Sequence, residues 1–132
     1  MQSGGNGDRV CYRFGMPTAL ITGTSTGIGL ETALHFARQG YRVFAGARNP
    51  AAVEKHPNIA AVKLDVDQDE SVREAVGRVL QEAGAIDVLV NNAGIGMGGA
   101  VEYVPIEKVQ AIFETNFYGA VRMMQAVLPS MG

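Results

Sequence analysis

The chain has 132 residues, enough for one domain of modest size, and its 47% hydrophobic and 18% charged residues are the balance of an ordinary globular protein. A net charge of −2 with no basic tract argues against nucleic acid as a partner. The single cysteine, Cys11, excludes an internal disulfide, and no apolar run approaches the ~20 residues of a membrane span.

The first fifteen residues are rich in Gly, Asn and Asp, lack periodicity and contain no apolar signal core. They read as a disordered N-terminal extension over 1–15, with Met16 opening the folded unit over 16–132. No Cys/His spacing suits zinc, so no metal is expected. The expected setting is reduced and cytoplasmic, away from any membrane.

From Thr18 the pattern alternates. Thr18–Thr22 is a short apolar run and predicts a buried strand. A glycine-rich turn, Gly23–Gly29, follows. Ile28–Gln39 places Ile28, Ala33, Phe36 and Ala37 near helical spacing, and Gly40 closes it. Tyr41–Ala45 predicts a second strand, and Asn49–His56 a short helix with Pro50 in its first turn. Ile59–Leu64 reads as a third strand. Asp69–Ala83 reads as a long helix, capped by Asp69 or Ser71 and stopped by Gly84, with Val72, Val76, Val79, Leu80 and Ala83 as its apolar face. Ile86–Val90 predicts a fourth strand, and Asn91–Gly99 is a second Gly-rich loop. Pro105–Met131 reads as mostly helix, with Ile106, Val109, Ile112, Phe113, Phe117, Ala120, Val121, Met124, Val127 and Leu128 turned inward. Such alternation implies βαβ units: an α/β fold with a parallel sheet and right-handed crossovers.

Two loops carry chemistry. The run Thr22, Gly23, Thr24, Ser25, Thr26, Gly27, Ile28 and Gly29 follows a strand and opens a helix. A helix N-terminus offers unpaired N–H groups and a positive dipole end, which together hold an anion. Gly23 allows the tight turn, Gly27 lets a pyrophosphate approach the backbone, and Gly29 lets the helix pack on the strand. Thr24, Ser25 and Thr26 offer hydroxyl donors. The spacing G-x-x-x-G-x-G differs from G-x-G-x-x-G, and no Lys-Ser/Thr follows as in a P-loop. The second loop is Asn91, Asn92, Ala93 and Gly94, directly after the fourth strand. Ligands of open parallel sheets sit at the carboxyl ends of strands, and small residues there leave room for a ribose and a nicotinamide.

With these motifs in this order, together with Asp65-Val66 after the third strand and Asn116 within Glu114–Phe117, the chain resembles the N-terminal half of a short-chain dehydrogenase/reductase. The resemblance covers about residues 16–132. It implies a partial Rossmann-type, doubly wound parallel sheet of about four strands. It also implies that Asp65 binds the adenine amino group, although the residues alone read Asp65 as a turn preceding a helix. Val66 would line the adenine pocket. Asn92, Ala93 and Gly94 would contact the cofactor sugars, while Asn91 ties the loop to neighbouring strands. Asn116 matches the family's catalytic asparagine, which kinks its helix and holds a proton-relay water.

Arg48 follows the second strand, and Ala47 stands where relatives that use NAD carry Asp. An arginine there suits a 2′-phosphate, so NADP(H) is expected over NAD(H). The family's Ser and Tyr-x-x-x-Lys are absent: none of Tyr12, Tyr41, Tyr103 and Tyr118 has Lys four residues later. The expectation is therefore a fragment, inactive alone, of an NADP(H)-dependent oxidoreductase acting on an alcohol or carbonyl compound and assembling as a homo-oligomer when complete. A non-catalytic NADP(H)-binding or regulatory module is the alternative.

Overall fold

The computed structural model describes residues 15–132. The extension expected over 1–15 lies, Gly15 apart, outside the described residues, as does Cys11. Strand β1 (Thr18–Thr22) is buried along its whole length. That is why it reads as a continuous apolar run: a central parallel strand is covered on both faces. Strands β2 (Arg42–Ala47), β3 (Ile59–Lys63) and β4 (Val88–Val90) complete a parallel sheet of order β3-β2-β1-β4. Leu20 of β1 stands beside Phe44 of β2 and Leu89 of β4, which fixes the register.

Side chains alternate across the sheet, so each strand feeds two cores. Helix α1 (Gly27–Arg38) brings Ala33 and Ala37 against Ala19, Ile21 and Val43 on one face. Helix α2 (Asp69–Ala83) brings Val72, Val76 and Val79 against Leu20, Phe44 and Val62 on the other. The fold is doubly wound, as expected for this class.

Local departures have local reasons. Strand β2 runs on to Ala47 because Gly46 and Ala47 pair with Val62 and Lys63. Strand β4 starts only at Val88: Asp87 uses its N–H on the Thr18 carbonyl and its carboxylate to accept the Thr18 N–H. The helix expected over Asn49–His56 is a single 3₁₀ turn, Pro50–Ala52, with the Asn49 side chain accepting from the Ala51 N–H. Beyond it Val53 turns extended and buries its side chain, and His56 bridges to Ile59. Neither Asp69 nor Ser71 caps α2. Gln68 holds the cap position without a side-chain bond, while the Ser71 hydroxyl accepts from the Asp65 N–H. Ile28, placed in the apolar face of α1 by its spacing, is 78% exposed.

The C-terminal third differs most. Helix α3 (Ile106–Phe113) passes through a π-helical segment, Glu114–Tyr118, into helix α4 (Gly119–Met131). The buried row of α4 is Gly119, Met123 and Val127. Of the residues expected inward, Val127 alone is fully buried, and Ile106, Phe113, Phe117, Met124 and Leu128 are exposed. The reason is Gly119: a Cβ there would lie 2.7 Å from Val66 Cγ2, so the helix backbone comes down on Val66 at this point and turns the 119/123/127 row to the sheet. Among the described residues no helix is long and apolar enough to cross a membrane, and no group of His, Cys, Asp or Glu is suited to a metal ion.

Candidate functional site

At the C-terminal ends of the strands lies a cleft of about 560 Å³. It gathers Gly23, Ser25, Thr26, Ile28, Arg48, Asp65, Val66, Asn92, Ala93 and Gly94, the residues singled out in separate stretches of sequence. Thr24, Gly27, Gly29 and Asn116 lie outside its lining.

The first wall is the turn from β1 into α1. Gly23 and Gly27 take left-handed φ of +67° and +61°, which glycine adopts without steric penalty. A Cβ on Gly23 would stand 2.8 Å from Ala93 Cα. A Cβ on Gly29 would overlap the Gly23 carbonyl and the Asn92 amide. Thr24 is fully buried and faces the fold: its hydroxyl and its N–H both donate to the Gly46 carbonyl, at 3.1 and 3.2 Å. It fastens the turn to β2 and offers the cleft no hydroxyl. Thr26, at the N-cap, makes no side-chain capping bond, and no acidic residue stands in the first turn of α1. The leading N–H groups of α1 therefore have no side-chain cap, the arrangement of a helix start that can accept an anion.

The second wall is the loop after β4. Thr22, which heads the glycine motif and is given no role of its own there, holds it. Its hydroxyl oxygen accepts from the N–H groups of Asn92 at 3.0 Å and Ala93 at 2.8 Å. The Asn92 amide donates to the carbonyls of Gly23 at 2.9 Å and Thr22 at 3.2 Å. The tie expected of Asn91 is thus made by Asn92, and Asn91 is exposed. Strand parity explains this. Val88 and Val90 pack on the α1 side and Leu89 on the other, so the same alternation carries Asn92 toward Gly29.

Asp65 sits in the cleft and its carboxylate accepts the Asp67 N–H at 3.0 Å, which makes the turn before α2. The turn expected from the residues alone is present, and the carboxylate lies in the lining of the cleft. Val66 is buried, under Gly119. Arg48 leaves the end of β2 exposed, and among the described residues no carboxylate pairs with its guanidinium. Ala47 beside it is buried.

Asn116 lies in the π segment, a kind of insertion that occurs mostly as a single turn within α-helices. Its Oδ1 accepts from the Ile95 N–H at 2.7 Å and its Nδ2 donates to the Ile95 carbonyl at 2.8 Å. A Cβ on Gly94 would lie 3.2 Å from Asn116 Oδ1, a tight contact. Sequence reading also missed Arg122, which donates to Asp69, to the Val66 carbonyl and to Glu114. The bond to Glu114 raises the Arg122 pKa above the ordinary arginine value, partial burial opposes this, and the bond to Asp69 adds to it.

Residues 17–132 match the family model described as short chain dehydrogenase. A 3-ketodihydrosphingosine reductase of Bacteroides thetaiotaomicron is 44% identical over 112 residues, covering 85% of this chain and 41% of the relative. Retinol dehydrogenase 8 of Bos taurus is 44% identical over 126 residues, covering 86% of this chain and 40% of the relative. The chain thus spans less than half the length of these curated relatives. Among solved structures, a 3-ketoacyl-(acyl-carrier-protein) reductase of Brucella melitensis complexed with NADH superposes with a TM-score of 0.83 at 33% identity, over 88% of this chain and 50% of that one. With the cleft, the sheet order and the family match in agreement, the chain belongs to the short-chain dehydrogenases.

Proposed function

We propose that this chain is the cofactor-binding part of an NADP(H)-dependent oxidoreductase that interconverts an alcohol and a carbonyl compound. The observation that carries the reading is one cleft shared by the uncapped start of α1, the Asn92–Gly94 loop, Asp65 and Arg48, which pairs with no carboxylate among the described residues. The residues fit a dinucleotide. The first N–H groups of α1 suit a pyrophosphate, the Gly23, Ala93 and Gly94 backbone leaves space for sugars, and Asp65 with Val66 suits an adenine. A nicotinamide bound there supplies the hydride donor or acceptor. Ser25 and Thr26 add hydroxyl donors beside the pyrophosphate site, and the bare Ile28 side chain offers an apolar surface at the mouth of the cleft. Asn116 holds the loop after β4 through Ile95, and we place it as the catalytic-site asparagine of the family. A keto-compound reductase and a retinol dehydrogenase among the relatives support the carbonyl–alcohol pair as substrate class.

The preference for NADP(H) rests on Arg48, since the neighbour from Brucella melitensis carries NADH. Charge-assisted hydrogen bonds contribute about 1.5–3 kcal/mol, and each ~1.4 kcal/mol is tenfold in affinity. Arg48→Ala is therefore expected to weaken NADP(H) binding about 10- to 100-fold and to leave NAD(H) binding nearly unchanged. Adding Ala47→Asp repels the 2′-phosphate and offers the 2′-hydroxyl an acceptor, so the double variant inverts the preference. Calorimetric titration of both cofactors decides this. Equal losses for the two cofactors on Arg48→Ala would remove the arginine from the 2′-phosphate site.

A further inference from the structure

Arg122 stands in the first turn of α4, four residues past the end of the π segment. Its guanidinium is a planar fork of donors in fixed geometry. Nε donates to Asp69 Oδ1 at 2.6 Å, at the start of α2. One terminal nitrogen donates to the Val66 carbonyl at 3.0 Å, in the turn after β3, and the other to Glu114 Oε2, at the start of the π segment. The side chain is 23% exposed, and one of its acceptors is a backbone carbonyl. An exposed two-partner pair would fix little; this fork joins three elements.

Two of those elements, the turn after β3 and the π segment, contribute to the lining of the cleft. Glu114 opens the π segment, and Asn116 two residues on closes on Ile95 with both ends of its amide. Thr115, between them, donates to Asp67 Oδ1 at 2.7 Å, and the Asp67 N–H donates to Asp65 Oδ1 at 3.0 Å. The Glu114–Arg122 pair spans the whole π segment at a separation of eight residues. Ordinary helical pairs stand three or four apart. Its geometry therefore depends on the winding of the segment. If the π segment rewound to α, the helix before it would swing by about 100°, one residue's rotation, and Asn116 would leave Ile95.

We propose that Arg122 is a positioning residue: it locks the Asp65–Asp67 turn and the Asn116–Ile95 clasp into one register, so that Asp65 and Ile95 of the cleft lining are set together. The lock stands on this geometry, and its consequence for a dinucleotide rests on the reading given above.

Amide hydrogen exchange by NMR on the ligand-free chain tests the lock directly. The reporters are the Ile95 N–H, bonded to Asn116, and the Asp67 N–H, bonded to Asp65. In Arg122→Met both are expected to exchange about tenfold faster, while the Leu20 and Val79 amides in the core keep their rates. Arg122→Lys, with a charge but no fork, is expected to recover part of the protection. Glu114→Gln is expected to speed exchange at Ile95 with the arginine still present, and it decides the matter if Arg122→Met does not fold. The lock is overturned if Ile95 keeps its wild-type rate in Glu114→Gln, or if Arg122→Met speeds all amides alike. A second arm titrates NADP⁺, with about tenfold weaker binding expected in Arg122→Met. Unchanged affinity would break the link between lock and cofactor. If the unmutated chain binds neither NADP⁺ nor NAD⁺, the dinucleotide reading fails, and the exchange rates still judge the lock.

Discussion

The loop after β4 is held from two sides by different means. On the side of α1 want of space is added to the bonds of Thr22 and Asn92: Gly23 and Gly29 admit no Cβ, and Ala93 and Asn92 close on their backbone. On the side of α4 the constraint is polar: Asn116 grips Ile95, and Thr115, Glu114 and Arg122 run from there to the turn before α2. A steric constraint leaves its mark in residue type, because glycine alone satisfies it. A polar constraint leaves no such mark, because an Asn, Thr or Arg in a helix is equally at home in solvent.

The steric side is expected to show the largest effect when broken. Gly29→Ala sets a Cβ into the Gly23 carbonyl, a backbone atom that no rotamer change can move aside. The expected loss is about 3 kcal/mol, at the upper end for overpacking, together with loss of cofactor binding. Urea unfolding followed by circular dichroism measures the first. A Gly29→Ala chain as stable as the unmutated one would mean that the turn yields freely and that the two sides do not differ as described.

Thr22→Val is the next test and targets the polar bonds where they meet the steric wall. Valine keeps the shape of threonine and removes the oxygen that accepts from Asn92 and Ala93. An unsatisfied buried donor costs about 1–3 kcal/mol, and the two N–H groups here are part-buried, so a total of about 2 kcal/mol is expected. Cofactor affinity should fall further than stability, since the loop that frames the cleft is what loosens. Equal falls would reduce Thr22 to a strand residue.

This contrast also sets what was legible in the sequence. The α/β alternation, the parallel sheet and the glycine turn into α1 follow from run lengths and glycine spacing, and these are steric facts. Asn91 and Asn92 are alike in type, and only the parity of Val88 and Val90 tells which faces α1. The π segment has no signature of its own, because Glu114–Tyr118 is as compatible with α-helix as with π. Thr24 offered a hydroxyl to a ligand on paper, yet Gly46 takes it. The helix expected over 49–56 failed because Val53 and His56 had better uses, in the core and in a bridge to β3.

The smallest effect is expected at Met124 of α4, where apolar periodicity points to the wrong row. Met124 was placed inward, but it is 39% exposed, and its neighbour Met123 is completely buried. Methionine and glutamine have similar helix propensity and length, so a Met→Gln exchange isolates burial from helix formation. Met123→Gln places an amide in the cluster of Leu20, Phe44 and Val127. Without partners there it should lose about 1–3 kcal/mol. Met124→Gln removes apolar surface that is already partly in water and gives the new amide free access to solvent. Its stability is expected within about 0.5 kcal/mol of the unmutated chain. The comparison of the two midpoints in urea is sharper than either value. If Met124→Gln lost as much as Met123→Gln, the 120/124/128 row would be buried in solution, and the rotation that Gly119 imposes on α4 would be wrong. If neither lost stability, α4 would not be docked on the sheet, and the polar hold on the loop after β4 would have no support beneath it.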